Sequence, residues 1–393
     1  MLEHLSWAEL LRRWSAEAIA HTDAIALEVT PQMRASGWIG NPPAAATDIA
    51  AAQERLGRTL PRSYLEFLAI TDGWPVLSFD FGQVRPVAEL DWVAAIAPGL
   101  YRAVCADDGY EWPPDSDDGP PLMNRALLLS TGTDDFLYDT GRVDADGEWA
   151  TTCWTSWYPG AGDKQPSFRA GMVSHYASFV RFRAHDSVTH ADVAAQVEDA
   201  YQRVLRGDRS GEEVISEARF FRSARADALE AGLHLFTSHD RSARELAELA
   251  EGEHAVDPAM LADVWPALVA AEFNPRNRYQ GSLNMAIRNA PEPVAALLRS
   301  LADQYQRDGG LTADFGYAPA FAAAMDNARE LARANREAEA FEVILAAVPS
   351  WEPLSPLHLV PMGLAWDHDL GRIMTRERRA QLLAAPRASG SPE

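Results

Sequence analysis

The apolar positions of the chain change their period twice. Over residues 6–29, Trp7, Leu10, Leu11, Trp14, Ala18 and Ile19 recur every three or four residues, which predicts an amphipathic lead-in helix. Asn41-Pro42-Pro43 stops regular structure, and two short helices follow. The first has Ile49, Ala52 and Leu56 on one face, Thr47 or Asp48 placed to cap it, and Gly57 where a left-handed C-terminal residue belongs. Pro61 opens the second, with Tyr64, Phe67 and Leu68 as its buried stripe and Thr71-Asp72-Gly73 as its end.

Beyond Gly73 the texture turns from helical to extended. Residues 126–130 and 136–138 are short apolar runs, and 149–157 is rich in Thr and Trp. Asp144-Ala145-Asp146-Gly147 has the residues of a hairpin turn, with Gly147 free to take a positive φ. These features predict an antiparallel sheet, closed by a helix over 175–183 that packs Tyr176, Phe179 and Val180 against it. From Asp192 the period is helical again: Val193, Val197, Ala200, Tyr201, Val204 and Leu205 form one face, ended by Gly207, and further helices are expected over 257–271, 291–305, 318–333 and 337–348. The expected fold class is therefore α+β. It comprises a helical lead-in (1–40), a mostly antiparallel sheet with flanking helices (41–184), an all-α array that is solenoid-like or an irregular bundle (185–385), and a disordered tail (386–393).

Composition narrows the function classes. Hydrophobic residues at 47% and charged residues at 23% are ordinary for a folded protein, so the acidity is not that of a disordered chain. The formal net charge of −22 repels a phosphate polymer, which excludes nonspecific nucleic-acid binding and favours a basic partner. Cys105 and Cys153 are too few for a disulfide framework and too far apart for a zinc knuckle. With no basic leader and no long apolar run, the expected location is the cytoplasm, with no membrane contact. Lys164 is the sole lysine, a skew toward arginine that reflects base composition more than function.

Signatures of catalysis are missing from the sequence. Gly160-Ala161-Gly162-Asp163-Lys164-Gln165 begins like a dinucleotide loop but lacks the third glycine, and Lys164 is not in a P-loop context. The histidine pairs His185/His190 and His234/His239 are five residues apart, the wrong spacing for two zinc ligands on one helix face. Trp366-Asp367-His368-Asp369 gathers an imidazole and two carboxylates but reads as a cap on the preceding turn, since Leu370-Gly371 follows directly. No cofactor or metal is expected.

One distribution does stand apart. The 46 residues from Cys105 to Ala150 hold twelve acids against Arg125 and Arg142, so they carry −10 of the −22. Aromatic residues are interleaved with these acids or adjoin them. Asp107, Asp108, Tyr110, Glu111, Trp112, Asp115, Asp117, Asp118, Asp134, Asp135, Trp157 and Tyr158 are the candidate partner-binding residues, because aromatic anchors amid matching charge supply affinity and fast association.

The run from Thr47 to Leu68, with Leu56-Gly57, Leu60-Pro61, Tyr64, Phe67-Leu68 and then Gly73, resembles the opening signature of the SUKH superfamily, which includes Smi/Knr cell-wall regulators and bacterial immunity proteins. The stretches 126–138, Trp157-Tyr158-Pro159 and 178–182 follow the later pattern, so the resemblance spans about 41–184. It implies an α+β binding scaffold without enzymatic activity, commonly one that neutralises a toxin, often a nuclease, by direct contact. Its motif residues, Leu56, Gly57, Leu60, Pro61, Tyr64, Phe67, Leu68 and Gly73, are then makers of the fold and do not locate the toxin contact. The 210 residues after Arg183 depart from single-domain members. Three readings follow in order: an immunity-type inhibitor of a basic toxin, a regulatory scaffold for host proteins, and an enzyme using Asp367, His368 and Asp369. The oligomeric state is not legible.

Overall fold

A computed structural model describes the chain except for residues 1, 3, 22–26, 76–80, 107–111, 133, 156–159, 184–187, 238–241, 275–280 and 388–393. The chain divides into two compact units, residues 1–191 and 192–393.

The first unit is built on an antiparallel sheet in which sequence order equals spatial order: β1 (Phe81–Val84), β2 (Ala126–Gly132), β3 (Asp134–Val143), β4 (Trp149–Thr155) and β5 (Gly160–Ala161). Alternation along β3 sends Phe136 and Tyr138 to one face and Leu137 and Asp139 to the other. Helices cover both faces. On the first lie α1 (Trp7–Ala20), α4 (Arg62–Leu68) and α8 (Phe168–Arg183). The Phe168 ring packs edge-on against Tyr64 and Phe67 and contacts Phe136 and Tyr138, while Trp14 of α1 packs on Tyr176 and Phe179. On the second face α5 (Val93–Ile96), α6 (Pro98–Val104) and α7 (Gly119–Met123) close over Ala126, Leu128, Leu137 and Trp154. α2 (Pro31–Ser36) and α3 (Ala46–Leu56) complete the unit, and Gly147 takes φ +81° in the β3–β4 hairpin.

Several local expectations shift. Residues 1–40 are not a separate lead-in, because Trp7, Leu10, Leu11 and Trp14 are buried in the core of this unit. Ala45 precedes α3 with no side-chain cap, and Asp48 lies in the first turn. α8 starts at Phe168, earlier than expected, since Phe168, Met172, Tyr176 and Phe179 form one continuous buried stripe. The division between units falls after Ala191, inside the helix that begins at Val188, and not at residue 185.

The second unit is helical: α9 (Val188–Leu205), α10 (Ser210–Arg219), α11 (Ala224–Thr237), α12 (Ser242–Glu248), α13 (Trp265–Glu272), α14 (Ser282–Asn289), α15 (Glu292–Asp308), α16 (Pro319–Arg333), α17 (Glu337–Ala347), α18 (Gly363–Trp366) and α19 (Arg376–Ala384). The helix expected over 257–271 is interrupted by a π-helical turn, Met260–Val264. Pro266 has no N–H to give a carbonyl four residues back, and the wider turn accommodates the missing bond.

In a solenoid each repeat touches only its neighbours. Here α19 packs on α11 and α18 on α13, so the unit is an irregular bundle. The tail expected from 386 is anchored through Arg387, which is buried. Its backbone N–H donates to the Leu205 carbonyl at 2.7 Å, and its guanidinium donates to carbonyls of Val204, Leu382 and Leu383. One side chain thus satisfies the open C-terminal carbonyls of α9 and α19, and burial pulls its pKa down to about 10. Residues 388–393 lie outside the described residues.

Candidate functional site

The motif residues at 56–73 assemble one helix pair. Leu56, Leu60, Tyr64, Phe67 and Leu68 are buried, and Gly57 ends α3 in the left-handed conformation at φ +65°. Pro61 precedes α4 as its cap residue, where its missing N–H breaks no helical bond. Gly73 has φ +90°, and a Cβ there would stand 2.7 Å from the Val84 carbonyl oxygen. These residues build the fold and present no chemistry of their own.

The acidic stretch behaves differently from its charge count. Asp107, Asp108, Tyr110, Glu111, Trp157 and Tyr158 lie outside the described residues. Trp112 is half-buried and packs beneath Gly119, whose backbone (φ +60°) comes so close that a Cβ would meet the indole at 2.8 Å. Asp118 caps α7 through the Gly119 N–H at 2.7 Å and accepts from the Ala161 N–H at 3.0 Å, which ties the segment to β5. Asp134 is buried at the start of β3. Asp135 is half-buried, and burial first, then the charge of Asp134, pushes its carboxyl up to about 6. Asp115 is exposed.

At the centre of this region is an ionic cluster. Arg125 grips Asp139 with both prongs of its fork, Nε to Oδ1 at 2.6 Å and Nη2 to Oδ2 at 3.0 Å. Lys164 bridges Asp139 Oδ2 at 2.7 Å and Asp117 Oδ1 at 2.9 Å. Arg142 reaches the same Asp117 oxygen, Nε at 2.7 Å and Nη2 at 2.6 Å, and Arg125 Nη2 stands 3.6 Å from it. Burial alone would raise the Asp139 carboxyl, but hydrogen bonds from Arg125 and Lys164 outweigh it and hold the group below the usual range. Asp117 is also held low, first by the Lys164 hydrogen bond and then by Arg142.

Asp117 and Asp118, both expected to face a basic partner, already have partners within the chain. Asp117 is paired with Arg142 and Lys164 beside Arg125, and Asp118 accepts from two backbone N–H groups. Two further acids of the stretch are also committed: Asp144 accepts from the N–H groups of Asp146 and Glu148 in the hairpin, and Glu148 accepts from Ser63 of α4. Sequence reasoning treats Arg125 and Arg142 as a minor correction to the charge and meets Lys164 only as a failed phosphate-loop lysine. The available signal is their type: the only two arginines amid twelve acids, and the only lysine of the chain.

Three further sets of titratable side chains are paired within the chain. Cys153 Sγ lies 3.9 Å from His175 Nε2, but burial pushes the thiol up to about 12 and the imidazole down to about 3, so the pair is neutral and the thiolate needed for nucleophilic attack is disfavoured. In the second unit, Asp367 accepts from Arg329 Nε at 3.1 Å and Nη2 at 2.9 Å, from the Ala313 N–H, and from the N–H groups of Asp369 and Leu370. It caps the turn that follows it, where the sequence predicts a cap on the preceding turn, and anchors a buried arginine. Asp369 pairs with Arg333. His358 Nε2 lies 2.8 Å from Asp263 Oδ2, both buried, while Nδ1 accepts from the Leu354 N–H, which places the ring proton on the nitrogen facing the carboxylate. Sequence reasoning does not pair these two, because 95 residues separate them.

Among the described residues no helix is long and apolar enough to cross a membrane, and no group of three His, Cys, Asp or Glu side chains is placed to hold a metal ion. Comparison with known protein families, curated proteins and solved structures finds no match for the chain.

Proposed function

We propose that the chain is a non-enzymatic, cytoplasmic protein-binding protein of the immunity type, a SUKH-like inhibitor that neutralises a basic toxin by direct contact. The observation that carries this reading is the placement of the SUKH-like residues. Leu56, Leu60, Tyr64, Phe67 and Leu68 are all buried, and Tyr64 packs on Tyr138 of β3 and Phe168 of α8, which supports a SUKH-like binding scaffold. The net charge of −22 supports a basic partner through long-range attraction. Asp117 is already paired with Arg142 and Lys164, so Asp115, which is exposed, is the better candidate for that contact.

The test is expression of each neighbouring gene product with and without this protein. A neighbour toxic alone and rescued by co-expression is the expected result, with a complex that dissociates as salt rises. Absence of any such neighbour overturns the reading. A regulatory scaffold is the second reading, favoured by the division into two compact units. It predicts stable host partners in a pull-down from cells that hold no toxin gene.

A further inference from the structure

Arg142 meets Asp117 in an unusual way. A guanidinium edge and a carboxylate normally pair two prongs with two oxygens, as Arg125 does with Asp139. Arg142 instead directs both Nε and Nη2 at the single atom Oδ1 of Asp117, at 2.7 and 2.6 Å. Lys164 Nζ reaches the same atom at 2.9 Å, and Arg125 Nη2 stands 3.6 Å away. Three cations from three different places in the unit, the start of β2, the end of β3 and the loop after β5, thus converge on one oxygen.

The rest of the cluster is preorganised without Asp117. Arg125 is held by Asp139, by the Pro121 carbonyl at 3.1 Å and by the Ser116 carbonyl at 2.9 Å. Lys164 is held by buried Asp139, and Arg142 Nη2 also donates to the Asp115 carbonyl at 3.2 Å. Asp117 itself is half-exposed, and its other oxygen, Oδ2, accepts no hydrogen bond among the described residues. The side chain can leave by rotation about its own bonds while the backbone of its segment stays tethered through the Ser116 and Asp115 carbonyls. Counting the five side chains, the cluster has three positive and two negative charges with Asp117 in place, and a surplus of two positive charges once it leaves.

We propose that Arg125, Arg142 and Lys164 form an oxyanion-binding cradle that Asp117 plugs in the resting protein. The ligand class is a phosphate dianion, free or as a small phosphomonoester. Its several oxygens accept separately from Arg142 and Lys164, the donors that Asp117 crowds onto one oxygen, beside the Arg125 charge, and its own charge of about −2 matches the surplus left when Asp117 swings out. This inference is independent of the toxin-binding reading, because it concerns a locally cationic site on an acidic protein.

The experiment compares the full-length wild type with Asp117→Ala by titration calorimetry against inorganic phosphate at fixed ionic strength, with chloride as the control anion. Asp117→Ala is expected to bind phosphate at least tenfold tighter than wild type, and Asp117→Ala/Arg142→Ala to lose that gain. A second readout keeps the test independent of heat signals and of misfolding. Lys164 is the only lysine, so labelling by an amine-reactive ester, located by peptide mapping, is expected to rise in Asp117→Ala and to be suppressed by phosphate but not by chloride. Glycerol phosphate in place of phosphate distinguishes the two sources: tighter binding assigns an ester, weaker binding the free anion. A folded Asp117→Ala protein that binds neither, or whose Lys164 labelling ignores phosphate, overturns the proposal.

Discussion

Glu148 caps the first turn of α4 from 85 residues away: its Oε1 accepts the Ser63 N–H at 2.7 Å, and its Oε2 accepts the Ser63 hydroxyl. The residue that precedes α4 is Pro61, which has no side-chain oxygen to offer the open N–H groups of a helix start. The β3–β4 hairpin supplies the missing acceptor, and its negative charge lies at the positive end of the helix.

Glu148→Ala is accordingly expected to destabilise the first unit by about 1–2 kcal/mol, as loss of a helix cap does. Glu148→Gln, which keeps an acceptor but not the charge, should lose less. Ser63→Ala in the Glu148→Ala background should add little, because the partner is already gone. Denaturant titration of wild type, Glu148→Ala, Ser63→Ala and the double variant measures the coupling, with Glu148→Gln alongside. Additive losses would mean that the contact does not stabilise the native state.

This contact also marks what the sequence can and cannot disclose. The helix pair at 46–68 is legible because period, Gly57 and Pro61 are local signals. The hairpin turn is legible because Asp144 and Gly147 act within four residues. The fate of the acids is not. Whether Asp139 faces solvent or Arg125 depends on the β2–β3 register, in which Ala126 stands opposite Asp139, and on β3 sending that side chain to the covered face of the sheet. A charge count has no direction, so it cannot separate Asp117, held by three cations, from exposed Asp115. The His358–Asp263 pair is out of reach for the same reason: it forms where a π-turn meets a distant loop, and neither local pattern names the other.

Gly57 and Gly73 should respond differently to the same substitution. Gly57 sits at φ +65° with nothing within 4 Å of the place an added methyl would occupy, so Gly57→Ala meets only the left-handed backbone penalty, about 1 kcal/mol. Gly73 combines φ +90° with a carbonyl oxygen 2.7 Å from the new Cβ, and that oxygen accepts the Trp74 N–H in the pairing of Trp74 with Val84. Gly73→Ala is expected to lose about 3 kcal/mol or more, since strain and a disrupted backbone contact add. Thermal melts of the two variants check the ranking; equal losses would remove the close approach as the reason for Gly73.

Two groups in the first unit pull stability in opposite directions as pH falls. Burial lowers the His175 pKa to about 3, below its ordinary value of about 6.5, so the unfolded chain binds the proton first. Its contribution is fully present above about pH 6.5 and is lost as the pH falls toward 3. Asp135 has the reverse sign. Its carboxyl is raised to about 6, so the folded form takes up the proton first, and the destabilisation it brings at neutral pH is relieved as the pH falls from 6 toward 4. His175→Gln should flatten the acid loss between pH 6 and 4, and Asp135→Asn should steepen it while raising stability at pH 7. Denaturation midpoints from pH 7.5 to 4 give the slopes, and unchanged slopes in both variants would refute the assignment.

The Asp367–Arg329 pair allows the sharpest separation of a needed partner from a favourable one. Both side chains are buried, and Asp367 also accepts from the Ala313, Asp369 and Leu370 N–H groups, so its removal leaves Arg329 only the exposed Asp326 carboxylate as counterion and strands three backbone donors. Asp367→Ala is expected to destabilise the second unit by about 3–5 kcal/mol, the usual effect of breaking a buried ion pair. Arg329→Met leaves Asp367 with its backbone donors and should lose less. In the double variant Asp367→Asn/Arg329→Met the amide oxygen still meets the Asp369 and Leu370 N–H groups that Oδ1 accepts, only the Ala313 N–H loses its acceptor, and no charge is buried. It should therefore recover much of the loss seen in Asp367→Ala, because desolvating two ions offsets most of their attraction. Hydrogen exchange at the Ala313, Asp369 and Leu370 amides reports the local effect directly. Protection that survives in Asp367→Ala would show that the turn is held by its neighbours and that Asp367 serves Arg329 alone.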